Sequence, residues 1–228
     1  MINSNSRLLQ MMLSLVTIAS ICSSVPSRSY ADSTQVTDES SVRPVCMFSL
    51  KDGWSDGGQS GFVEFITHKA GPNDNSGIPQ VVERIKEVLA VKASFDVFIA
   101  KNEDNAMAAV ANGKKILVVD VDFLDNLNKI SKTQWAAIQV MAHEVGHHIA
   151  GFSNSAHRNE LNADYWSGLV LQRLGASRDA STKAILAVGT EMDTRSHPNK
   201  YKRSHIIAKG WDDAFHGKVD YSHCDGCK

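Results

Sequence analysis

A surplus of positive charge is missing from this sequence: 24 Lys and Arg meet 25 Asp and Glu over 228 residues, for a formal net charge of −1. Without a basic field, nucleic acid is not a natural partner. Long blocks of like charge and internal repeats are also missing, which sets aside charged interaction tails and repeat arrays. Beyond the N-terminal region no hydrophobic stretch is long enough to span a bilayer, so the mature chain is expected not to span a membrane. Cysteine is sparse, four in all, and Cys22 falls within the N-terminal apolar run. What is present, 43% hydrophobic residues, suffices for one globular domain with a real core.

The N-terminus has its own character. Arg7 is the only charge before Arg28, and between them runs LLQMMLSLVTIASIC. Small Ser29 and Ala31 then precede a cleavage point after Ala31. Residues 1–31 therefore read as a signal peptide. A membrane anchor is the alternative, but the run falls short of the ~20 residues a spanning helix needs. Bulky Ile21 argues against lipidation at Cys22. The expected product is exported, periplasmic or secreted. Residues 32–43 are polar and read as a disordered linker, and 44–228 as a single domain with a Cys-containing tail. Outside the cytoplasm a disulfide among Cys46, Cys224 and Cys227 is the default, with one thiol left over and the pairing open.

Along the domain, VCMFSL, FVEFITH and SFDVFIA read as strands. Pro79 opens a helix over QVVERIKEVLAV. AMAAVANGKKILVVDVDFL reads as two strands turned at Asn112-Gly113, and DNLNKIS leads into a turn. Helices follow from about Thr133 to Ala150, from Arg158 to Leu174, over SRDASTKAILAVGTEM, and over YKRSHIIAKGW. Thr133 or Ser131 can cap the first of these. The fold class is α+β: a small, mostly antiparallel sheet followed by a helical half.

The chemistry concentrates in MAHEVGHH, residues 141–148. On a helix, His143 and His147 lie one above the other and can grip one ion. Glu144 projects beside them toward a water that the ion would hold, the mechanical content of His-Glu-x-x-His. His148 points about 100° away and is expected at the surface or in a supporting place. A catalytic zinc needs a third protein ligand and an open fourth position. A tight turn after Gly151 brings the next helix back, so that His157, Glu160 and Asp164 are candidates. Glu160 suits the ligand role, and Asp164, one turn on, can accept from the free nitrogen of a ligand histidine. His157 is the rival ligand, and Glu160 favouring a helix start electrostatically is the bland alternative.

HEVGHH followed by ELNADYWSGLVLQRLGA resembles the gluzincin metallopeptidases, in particular the branch with the CAAX prenyl proteases and bacterial heat-shock membrane proteases, whose soluble exported relatives lack membrane helices. The resemblance covers roughly residues 78–211. It implies a zincin-like helical half, Zn2+ on His143, His147 and Glu160, catalysis by Glu144, and support from Asp164. RSHPNKYKR is similar to that branch's Ser-x-His-Pro element with a downstream arginine, which implies that His197 steadies the transition-state oxygen and that Arg203 supports the site. A loop histidine is the plainer reading of His197. Only residues 148–159 separate His147 from Glu160, far fewer than in many relatives, so the family's substrate class does not carry over.

The expected activity is zinc-dependent hydrolysis of a protein or peptide substrate, with Glu144 as general base. The strand 106–111, through Ala106, Ala108 and Val110, is the expected place for the substrate backbone to pair. The alternatives are an exported metal-binding or chaperone-like module with a structural or silent zinc, and a hydrolase of non-peptide amides.

Overall fold

The structure, a computed structural model, describes the main chain of residues 42–47 and then residues 66–150, 153–221 and 224. Residues 1–31, read from the sequence as a signal peptide, and most of the expected linker lie outside the described residues. Among the described residues five strands are formed: β1 Val42–Met47, β2 Ile66–Lys69, β3 Asp96–Ala100, β4 Ala106–Ala111 and β5 Lys114–Asp120. Six helices accompany them among the same residues: α1 Ile78–Leu89, α2 Val121–Ser131, α3 Trp135–Ile149, α4 Ala156–Arg173, α5 Arg178–Val188 and α6 Lys200–Phe215. The α+β expectation holds, with the helical half following the sheet. Val42 and Arg43, assigned to the linker, instead begin β1 and pair with Ala111 and Val110.

The sheet order is β1-β4-β5-β3-β2. All pairings are antiparallel except β3 with β5, which makes the sheet mixed. Asn112 and Gly113 both take positive φ, 50° and 74°, as a two-residue hairpin turn between β4 and β5 requires. Side chains alternate across the sheet. Val97, Ile99, Ala106, Ala108, Leu117 and Val119 join the main core with the helices, while Phe98, Met107, Ala109, Ile116 and Val118 cluster on the other face.

One element differs in kind from the sequence reading. Residues 121–131, read as the end of a strand and a turn, form α2. Asp120 ends β5 and at once caps the helix, accepting from the amides of Asp122 and Phe123. Phe123, Leu124 and Leu127 then supply a buried stripe at helical spacing. Ser131 lies within α2 and caps nothing. Thr133 Oγ1 accepts from Trp135 N at 3.3 Å, and Asn128 Oδ1 from Ala137 N at 2.9 Å, so two side chains share the start of α3.

α3 is the central helix, with every residue from Ala136 to Ile149 buried. Three glycines let the helices of this half approach closely. A Cβ on Gly146 would stand 3.0 Å from the Ala163 backbone, so α4 packs tightly on α3 between the two motif histidines. A Cβ on Gly168 would stand 1.9 Å from Ile207 O, and one on Gly210 2.0 Å from Tyr165 O, which locks α6 against α4. The return from α3 is pinned where Asn159 accepts from Ser153 N at 2.8 Å and donates to Ser153 O at 3.1 Å. At the far end Cys224 is buried and disulfide-bonded, its partner's side chain lying outside the described residues. No helix among the described residues is long and apolar enough to cross a membrane.

Candidate metal centre

The helical repeat sets His143 above His147 on α3, their rings edge-on with centroids 4.6 Å apart. α4, drawn in by Gly146, delivers Glu160 to both. His143 Nε2 and His147 Nε2 are 3.0 Å apart, and the Glu160 oxygens lie 3.5 Å from the first and 3.4 Å from the second. Tetrahedral ligands about 2.0–2.1 Å from a zinc ion stand about 3.3–3.4 Å from one another. The cluster comes near those dimensions, and this buried group could bind a metal ion. Among the described residues no further His, Cys, Asp or Glu joins the cluster.

A second layer holds the triangle in place. Asp164 Oδ1 lies 2.9 Å from His143 Nδ1, which leaves Nε2 to face the other ligands. Arg203, from α6, grips Asp164 with both arms of its guanidinium: Nε to Oδ2 at 2.8 Å and Nη2 to Oδ1 at 2.9 Å. The same Nη2 is 3.5 Å from Glu160 Oε2. Helix capping places that arginine, since Asn199 accepts from the amides of Tyr201 and Lys202 at the start of α6.

The electrostatics divide the residues. Burial presses the His143 imidazole down, but Asp164 and Glu160 outweigh it and lift it to about 9. His147 goes the other way, to about 3, through burial and the neighbouring His143. Burial raises the carboxyls of Glu160 and Asp164, yet His143 and Arg203 hold both below their ordinary values. Glu144 has no comparable support. It is fully buried, and burial raises it to about 8. The Ala108 amide lowers it somewhat.

The residues singled out from the sequence are distributed as follows. His143, His147 and Glu160 meet, with Asp164 and Arg203 behind them. His197 sits at the margin, its Nε2 3.6 Å from Glu160 Oε2, and its side chain keeps 22% exposure. His157 does not join the triangle, because its Nε2 donates to Thr194 O at 2.8 Å. His148 is buried, not at the surface: its Nε2 lies 2.9 Å from Ile116 O in the sheet and its ring stands against Phe95. The substrate strand is a correction. β4 is internal, paired to β5 on one side and to β1 on the other, so Ala108 and Val110 offer no open edge. Ala106 lies beyond the β1 register but is paired to Val119 and buried. Sequence reasoning passed over Ser196, whose Oγ is 2.7 Å from His197 Nδ1. Its one signal was adjacency, as the first residue of Ser-His-Pro.

Comparison with known proteins leaves the chain unassigned: no protein-family model, no curated protein and no solved structure matches it.

Proposed function

We propose that the protein is a zinc metallopeptidase, with His143, His147 and Glu160 holding the ion and Glu144 as the general base. Two imidazoles and a carboxylate suit zinc, and three protein ligands with an open position are the catalytic pattern. When bound, the ion would supply Lewis-acid chemistry, polarising a carbonyl and making hydroxide available near neutral pH.

The observation that carries the reading is Glu144. A fully buried carboxyl whose only hydrogen-bond support among the described residues is the Ala108 amide is costly, and native proteins rarely keep one without a use. A purely structural metal site has no need of it. In the proposed reaction Glu144 takes a proton from the attacking water as the water oxygen adds to the carbonyl carbon. It returns that proton to the amine nitrogen as the C–N bond breaks. A cation beside it favours the ionised form that such a base requires. His197 donates from Nε2 to the oxygen that gains charge, with Ser196 Oγ–H satisfying Nδ1. Asp164 and Arg203 keep the His143 ring in register.

Glu144→Gln tests the assignment, because it preserves shape and removes the base. Mature protein is incubated with a peptide library, with and without chelator, and products are read by mass spectrometry. Wild type should cleave only without chelator, and the variant should lose cleavage by at least 10²-fold while still binding zinc. Cleavage by the variant at the normal rate sinks the role given to Glu144.

A further inference from the structure

We infer that His157 is a positioning residue, tying the turn that carries His197 to the helix that supplies Glu160; the inference rests on the site reading above. His157 stands in the first turn of α4, just before Glu160. A carbonyl only accepts, so its 2.8 Å contact with Thr194 O fixes the hydrogen on His157 Nε2. Thr194 in turn brackets His197. Thr194 N donates to His197 O at 2.9 Å, Thr194 Oγ1 lies 3.3 Å from the same oxygen, and His197 N donates to Thr194 Oγ1 at 3.0 Å.

The rest of the connection explains why this tie matters. Glu191, Met192, Asp193, Arg195 and Ser196 are exposed. Asp193 accepts from Asn199 N and Nδ2 and pairs with Lys202, which fixes the loop relative to α6. Those contacts reach Glu160 only indirectly, through the packing of α6 on α4. The His157–Thr194 bond joins the turn to α4 itself, and Ser196 Oγ on Nδ1 leaves His197 Nε2 directed toward Glu160. A histidine that reads from sequence as a rival metal ligand thus becomes a brace for the proposed oxyanion donor.

Two substitutions separate bracing from bulk. His157→Leu removes the donor, whereas His157→Gln carries an amide N–H to nearly the same place. Hydrogen exchange of the His197 amide is measured on the zinc-loaded full-length mature chain, together with zinc affinity and the kinetics of peptide cleavage. In the Leu variant the amide should exchange about 2- to 12-fold faster, the range that one net hydrogen bond supports. Zinc affinity should be unchanged, and kcat should fall with KM retained. The Gln variant should restore both exchange and kcat. Thr194→Val should raise exchange even with His157 intact. The inference is overturned if exchange in the Leu variant equals wild type, or if Gln behaves as Leu does. Should the wild-type protein cleave no peptide, exchange still decides the inference, and the hydrolase reading fails by itself.

Discussion

Arg203→Met is the perturbation that the structure makes most quantitative. Arg203 is 5% exposed and Asp164 is fully buried, and the two form a bidentate pair at 2.8 and 2.9 Å. The Met side chain fills much of the volume but leaves the Asp164 carboxylate buried against His143 alone. Removing one partner of such a pair costs about 3–5 kcal/mol. That is a large part of the roughly 5–15 kcal/mol that stabilises a domain. Urea unfolding of the metal-free protein should therefore shift strongly toward lower denaturant. The same change takes away the anchor of Asp164, the carboxylate that orients the His143 ring, and loss of such outer support costs about 10- to 100-fold in metal affinity. Adding Asp164→Asn removes the stranded charge, so the double variant should recover stability but not zinc affinity. Competition against a chelating dye measures the second quantity. An Arg203→Met protein within about 1 kcal/mol of wild type would refute the claim that this pair is a buried, mutually dependent unit.

Two further outcomes follow from the geometry. Gly146→Ala places a methyl 3.0 Å from the Ala163 backbone, which cannot yield as a flexible side chain would. α4 must move outward with Glu160, and zinc affinity should fall at least tenfold by the same dye assay, even though Gly→Ala by itself favours a helix. The third concerns pH. Burial, first, and the nearby Lys115 hold His148 down to about 4, against an ordinary 6.5. The unfolded chain therefore binds a proton that the folded chain refuses between those values, and stability falls as pH drops through that window. That difference corresponds to about 3 kcal/mol from this residue. Urea midpoints of chelator-treated protein at pH 4.5, 5.5 and 6.5 should show a steeper loss in wild type than in His148→Gln; equal slopes would contradict the assignment.

The parts legible in the sequence are those that depend on local spacing. The His143–His147 face, the returning Glu160 and Asp164, and the Asn112-Gly113 turn are all periodicity or short-loop statements, and the structure places each accordingly. Residues 121–131 misled because VVDVDFL continues a strand-like alternation across the boundary, while the deciding feature is the side chain of Asp120 capping α2. Whether β4 lies at an edge is not a local property. It depends on β1, which pairs with β4 from some sixty residues away. The buried place of His148 likewise depends on Ile116 of the sheet. Arg203 reached the site reading only through a resemblance, since nothing in its neighbourhood on α6 marks it as the partner of Asp164.

The most direct measurement is the zinc content of purified wild type and of Glu160→Ala after dialysis against a weak chelator. Two helices closing on one ion predict one tightly bound zinc per wild-type chain and essentially none in the variant. Full occupancy in Glu160→Ala, or an empty wild-type protein, would contradict the account.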